Sequence, residues 1–311
     1  MPSYSFKAFG LCISSNLDLS GAAAGCAESD LAVEVRVARA GWRAEGDVKP
    51  VTRFWGAGNR PFESVAEIPG VARFRARKGR HVLIEHEPTL SSGDVRGIAI
   101  STAVPLALQQ RQGLLLEASA IRWRDRVLLL VGQGPCGKSS LAALMADVGA
   151  QLLADSHCMI RLGSDGLLKL EPAFPHVRLW PSEAAELSGA WPDPVRVREG
   201  LEKLLFVVPE RYLQVGARID GWLNLRRGVD SGFHFRKLNG AEALQALAPC
   251  ADRLCPPVTP DTLGLRFRLL GAMAALPICH LLQWPRGGRP VAETRDRLVD
   301  VLDASCGSGA A

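Results

Sequence analysis

Residues Gly132 to Ser139 read G-Q-G-P-C-G-K-S, after an unbroken apolar run from Val127 to Val131 and before apolar residues at helical spacing, Leu141, Leu144, Met145 and Val148. A buried strand, a glycine-rich loop and then a helix confine the chain to α/β architectures, because a strand with no polar alternation needs cover on both faces. The helix reads as amphipathic, with Gly149 placed to cap its C-terminus. Every fixed position of G-x-x-x-x-G-K-S is filled, and each has a physical task. Glycines let backbone N–H groups curl around phosphate oxygens. Lysine offsets the charge of the terminal phosphates, and the Ser139 hydroxyl can complete a Mg²⁺ coordination sphere. The N-terminus of the following helix favours an anion. The candidate nucleotide-binding residues are therefore Gly132, Gly134, Pro135, Cys136, Gly137, Lys138, Ser139 and Ser140.

One helix further on, Gln151 to Asp155 reads QLLAD, a short apolar strand ending in a carboxylate. An acid at the mouth of a sheet, beside a phosphate loop, suits a metal ligand or a base. Asp155 and Ser139 are the candidate Mg²⁺ ligands, and ATP is the default nucleotide because no base-reading residue stands out.

With 311 residues and 47% hydrophobic content the chain can bury a sizeable core, and its length suggests roughly two domains. The net charge of +5 is spread along the chain. Its densest basic group, Arg73, Arg75, Arg77, Lys78 and Arg80, alternates with apolar residues as a solvated strand face does, so no nucleic-acid partner is expected. None of the eight cysteines forms a C-x-x-C pair, Cys250 and Cys255 sit near prolines, and the six histidines are scattered. Free, partly buried thiols are expected rather than a zinc site. Cys136, inside the loop, is either oxidation-sensitive or merely a small side chain there.

A membrane span needs about 20 apolar residues, and the longest candidate, Leu269 to Cys279, is short and holds Pro277. Ala23 to Cys26 (AAGC) imitates a lipoprotein cleavage box, but the residues before it are too polar for a signal. A cytoplasmic protein with no membrane partner is expected.

Residues 1–98 read as a mainly β domain. SYSFKAFGLCI and LAVEVRVAR alternate, and VARFRARKGRHVLIEHE reads as two strands turning at Lys78-Gly79, which suggests an antiparallel sheet with one solvated face. His81 and His86 are expected on its surface. Residues 99–311 form the nucleotide domain, opening with a helix over ISTAVPLALQQRQG. Strands follow at LLLEASAIRW, RVLLLVG and GWLNLRR, with helices at GAEALQALA and VAETRDRLVDVLD.

The stretch Leu114 to Asp155 resembles the core of the HPr kinase family, which carries an L-H-x-S-A-type strand, the phosphate loop, a helix and an A-D-D segment. The likeness is nearest to the branch found with lasso-peptide and related ribosomal-peptide pathways. Tyr4 with Ala8-Phe9-Gly10-Leu11, and Phe174 to Pro181 (FPHVRLWP), fit that branch too. The resemblance implies an α/β fold with a P-loop C-terminal domain of the HPr kinase/PEP carboxykinase type and a smaller, mainly β N-terminal domain. It implies transfer of the ATP γ-phosphate to a serine hydroxyl of a peptide or small protein. Lys138 would bind phosphates, Ser139 would hold Mg²⁺, and Asp155 would accept the hydroxyl proton or position the nucleophile. Homo-oligomerisation is left open.

Two positions depart from the family. Glu117 stands where the family has His, and Ser156 replaces the second Asp, followed by His157. Three readings follow: a rearranged site in which Glu117 takes a metal or base role and His157 or Glu117 supports Asp155, a degenerate site that binds nucleotide without transfer, or a different acceptor on the same scaffold. A nucleotide-binding regulatory protein and a small-molecule kinase are the corresponding alternatives. On the acceptor side, the resemblance places Lys203 near the active site. Arg178, Arg226-Arg227 and Arg286-Gly287-Gly288-Arg289 are further candidates for contacting phosphate.

Overall fold

The computed structural model describes residues 4–19, 26, 31–39, 63–198, 200–228, 233–251, 260–284 and 292–307. The chain begins with β1 (Tyr4–Ala8), β2 (Leu11–Ser15), β3 (Leu31–Arg39), β4 (Glu63–Ile68), β5 (Ala72–Arg77) and β6 (His81–His86), which form one sheet in the order β1-β2-β3-β6-β5-β4. Phe9-Gly10 and Lys78-Gly79 both take positive φ, the geometry of tight hairpin turns whose twist matches the flanking strands. Alternation fixes the buried face: Ala72, Phe74 and Ala76 point inward while Arg75 and Arg77 face solvent. It is silent on strand direction, and here the expected antiparallel sheet is mixed, with β3 parallel to both β2 and β6. Direction follows from the connections, and long segments precede and follow β3. His86 also corrects the reading. It shares the inward face with Val82 and Ile84 and is buried, its Nδ1 2.8 Å from the Glu87 carbonyl oxygen.

A helical stretch packs on this sheet: α1 (Ser92–Ile98), a π-helical turn (Ala99–Ala103) and α2 (Val104–Gln109). It starts earlier than expected because Ser91 and Asp94 form a capping box. Pro105 has no N–H to offer the carbonyl of residue 101, so the regular ladder cannot run through this point. Residues 98 and 99 are adjoining positions of one helical stretch. Gln110 fixes the helix end to the β5–β6 turn, accepting from Gly79 N at 2.7 Å and donating to Ala76 O at 2.9 Å.

Next come β7 (Leu114–Leu116), β8 (Ala118–Trp123), β9 (Arg126–Val131), α3 (Lys138–Asp147) and β10 (Gln151–Ala154). They are followed by β11 (Cys158–Leu162), β12 (Leu168–Leu170), β13 (His176–Leu179), α4 (Pro181–Ala184), β14 (Val195–Arg198), β15 (Leu201–Val207) and β16 (Ala217–Arg218). The chain closes with β17 (Gly221–Arg227), β18 (His234–Lys237), α5 (Gly240–Ala251), α6 (Pro260–Ala274), β19 (Ile278–Trp284) and α7 (Ala292–Gly307). The central sheet runs β10-β8-β9-β17-β19-β18, with β9, β17 and β19 parallel. One face buries Leu129, Val131 and Trp222 with α5 and α6, in a core continuous with the N-terminal sheet. The other buries Leu128, Leu130, Leu223 and Leu225 with α3 and α7. This is a layered α/β molecule. Two smaller sheets, β16-β12-β11-β7 and β13-β15-β14, complete it.

The loop helix departs from expectation. In α3 every residue from Lys138 to Ala146 except Ser139 is buried, so the helix is not amphipathic but enclosed between sheet, β13 and α7. The cysteine reading also changes, since Cys12 and Cys26 form a disulfide with Cα atoms 5.9 Å apart. Composition is blind to that pairing, because it depends on the fold bringing two distant positions together. Cys136, Cys158, Cys250 and Cys279 are free and buried. Cys255, Ala23 to Gly25 and Arg286 to Arg289 lie outside the described residues. Among those described, no helix is long and apolar enough to cross a membrane.

Phe74, fully buried in the N-terminal sheet, tests whether this sheet belongs to the common core. Phe74→Ala is expected to cost about 3–5 kcal/mol, read as a lowered midpoint in urea unfolding followed by α3-side fluorescence from Trp284. An unchanged midpoint there would mean that the two sheets unfold independently.

Candidate nucleotide-binding site

The loop between β9 and α3 sits at the C-terminal edge of the parallel strands, where open α/β sheets collect ligands. Two glycines are obligatory there. Gly132 has φ +152°, and a Cβ on it would lie 2.6 Å from the Leu225 carbonyl oxygen. Gly137, φ +85°, is the left-handed residue from which α3 starts. Lys138, 7% exposed, folds back over the loop. Its Nζ donates to the Gly132 carbonyl at 2.7 Å, to the Gly134 carbonyl at 3.2 Å and to Glu117 Oε1 at 3.1 Å. Cys136 Sγ is 3.7 Å from the same ammonium. Burial raises the Cys136 thiol above its usual range, against the pull of Lys138, which keeps it in the unreactive thiol form.

Asp155 follows β10, and Ser156 after it has φ +75°, an unusual value for a residue other than glycine. The strand therefore ends there, and His157 does not share a face with Asp155 by alternation. Asp155 Oδ1 accepts from Ser139 Oγ and from Ser119 Oγ, both at 2.7 Å. Oδ2 accepts from Arg178 N at 3.2 Å and Ser156 Oγ at 3.4 Å. The carboxylate is thus held in one orientation against the loop serine.

A cavity of about 460 Å³ opens over the loop. Its walls include Gly134, Lys138, Ser139, Glu117, Arg178 and Lys203, with Ser101 and Thr102 of the π-helical turn on the far side. His157, Trp180 and Glu183 also reach it. Asp155 itself lines a narrow recess of about 20 Å³ that shares Ser156, His157 and Arg178 with the main cavity.

The structure brings together the loop residues, Asp155, Glu117, Arg178 and Lys203. Within it, Glu117 is an ion-pair partner of Lys138, while Asp155 accepts from Ser139. Arg226 and Arg227 stand apart, on a second cavity of about 400 Å³ that shares Pro135 with the first. Ser119 was missed. Its signal lay in L-E-A-S-A, two residues beyond Glu117, where alternation along β8 turns it toward Asp155. Trp180 was marked only as part of FPHVRLWP, and Glu183 carried no sequence signal of its own.

The donor set fits a hydrated Mg²⁺. Ser139 and Asp155 offer adjacent hard oxygens, and among the described residues no cluster of three His, Cys, Asp or Glu forms an all-protein metal cage. Mg²⁺ is ordinarily held by one or two protein oxygens plus phosphates and water.

No family model matches the sequence, and no curated protein matches it. Among solved structures, the chain overlaps the HPr(Ser) kinase/phosphatase from Coxiella burnetii with a TM-score of 0.32 and 11% identity, over 61% of this chain and 95% of that one. A likeness at that level assigns no activity to this chain.

The Glu117–Lys138 pair is buried enough to compete with a ligand for the ammonium. Glu117→Gln is expected to tighten metal-free ADP binding about tenfold, roughly 1.4 kcal/mol, in a fluorescent-nucleotide displacement titration. Weakened binding confined to Mg²⁺-containing buffer would instead make Glu117 a metal ligand.

Proposed function

We propose that the chain is a Mg²⁺-dependent phosphotransferase that moves the γ-phosphate of ATP to a hydroxyl group, specifically a serine hydroxyl on a ribosomally made precursor peptide of the lasso type. The observation that carries the phosphotransferase reading is the contact between Ser139 of the phosphate loop and Asp155, 2.7 Å apart, directly beside the buried Lys138. A hydroxyl, a carboxylate and an ammonium at the head of a helix make the set that phosphoryl transfer uses. The peptide acceptor rests on the resemblance of Leu114 to Asp155 and of Phe174 to Pro181.

Ser139 and Asp155 would hold Mg²⁺, which neutralises phosphate charge when bound. Loop amides and Lys138 orient the phosphates, and most of the acceleration comes from that positioning and charge neutralisation. The acceptor oxygen bonds to the γ-phosphorus while the bond from phosphorus to the β,γ-bridging oxygen breaks, and ADP leaves with that electron pair. The hydroxyl proton passes to Asp155. A serine hydroxyl is a weak acid, so the carboxylate helps mainly late in a loose transition state.

A second reading, a nucleotide-binding regulator with weak transfer, is favoured by the withdrawal of Asp155 from the main cavity and by the Glu117–Lys138 pair. Incubation with γ-labelled ATP and Mg²⁺, with serine-containing precursor peptides, small hydroxylated molecules or neither, separates the readings. Label on a peptide serine is expected. Tight nucleotide binding with no labelled product would favour the regulator, and turnover of a small molecule would shift the acceptor class.

Two variants test the residue roles. Lys138→Ala is expected to abolish labelling, while Asp155→Asn should keep nucleotide affinity within a few-fold and lose about 10²–10⁴-fold in transfer rate. Undiminished transfer by Asp155→Asn would remove it as base and as metal ligand alike.

A further inference from the structure

We propose that Arg178 and Lys203 form the receptor for the terminal phosphate of the bound nucleotide, and so let the site tell a triphosphate from a diphosphate. The assignment rests on the nucleotide reading above and adds the residues that read the last phosphate.

Strand register places the pair. In the antiparallel pairing of β13 with β15, Arg178 lies opposite Leu205 and Leu179 opposite Leu204, so Trp180 falls opposite Lys203. Side chains alternate across a sheet. Arg178, Trp180 and Lys203 therefore share one face, and all three line the cavity over the phosphate loop. Lys203 Nζ lies 5.9 Å from the centre of the Trp180 ring, which gives the ammonium an aromatic shelf. The backbone N–H of Arg178 donates to Asp155 Oδ2, while Ser139 Oγ donates to Oδ1. Arg178 is thereby anchored on the flank of Asp155 that faces away from the loop.

Charge supplies the second argument. Lys138 has Glu117 as its counter-ion, but neither Arg178 nor Lys203 makes a salt bridge with a described carboxylate. Burial lowers the pKa of the Lys203 ammonium, and the charges of Arg178 and Lys138 lower it further, against the opposing pull of Asp155 and Glu183. Two cations sharing one cavity, with no salt bridge to a carboxylate among the described residues, suit an anion.

Position decides which anion. The loop amides and Lys138 already serve the phosphates that lie within the loop. Arg178 and Lys203 line the same cavity as Lys138 and Ser139, so a phosphate beyond those held by the loop would face them. A guanidinium and an ammonium there can donate to oxygens that a diphosphate lacks.

The test uses the full chain with Mg²⁺ and compares ADP with the non-hydrolysable β,γ-imido analogue of ATP by calorimetric titration. Arg178→Met and Lys203→Met are each expected to weaken the analogue about tenfold and to change ADP by less than about twofold. Arg178→Lys and Lys203→Arg should recover most of the preference, and matched thermal melts exclude misfolding as the cause. Equal loss for both nucleotides would overturn the assignment, as would no change for either, which would leave the pair to the acceptor. A wild-type chain that binds neither nucleotide would sink the nucleotide reading itself, a result distinct from wild-type binding without selective loss in the variants.

Discussion

The buried Lys138 ammonium is the interaction on which the site depends. It closes the loop on itself through the Gly132 and Gly134 carbonyls and reaches Glu117 at the junction of β7 and β8. The Glu117 backbone N–H in turn donates to the Cys250 carbonyl oxygen at 2.9 Å, near the end of α5. One cation thus ties the loop and α3 to the edge of a second sheet and to the helix layer behind the central one. A buried cation without partners is strongly disfavoured, so its carbonyl and carboxylate neighbours hold the loop in one shape.

Asp155 organises the other side in the same manner. Its two oxygens collect two serine hydroxyls, a backbone N–H and the Ser156 hydroxyl, which binds β8, β13 and α3 to the end of β10. The acid is therefore a structural hub as well as the candidate catalytic group. The left-handed turn at Ser156 removes the following residues from the strand line and aims His157 into the main cavity instead. Arg178, anchored by its own backbone on Asp155, carries this order into the three-stranded sheet that forms the cavity's other wall.

The strands β9, β10 and β17, the loop and Asp155 were legible because their signals are local: an unbroken apolar strand, glycines at fixed spacing, an acid at a strand end. The strands β18 and β19 were not expected, and LLLEASAIRW, expected as one strand, divides at Glu117 into β7 and β8 of two different sheets. The direction of β3, the inward turn of His86, the Cys12–Cys26 disulfide and the burial of α3 were not legible either. Each depends on which distant segment packs alongside, and alternation or spacing within one segment carries no record of that. Glu117 shows the boundary between the two kinds of knowledge. Sequence marked it as a departure from the family pattern, but only the fold shows that it meets Lys138.

From the chain's own order of residues came the groups available: a glycine-rich loop, a lysine, a serine and an aspartate on neighbouring elements of an α/β sheet. The tertiary structure alone decided how those groups are paired. Sequence spacing sets which side chains lie near one another along an element, whereas an ammonium, a carboxylate and two further cations come to face one cavity only when separate sheets close over it.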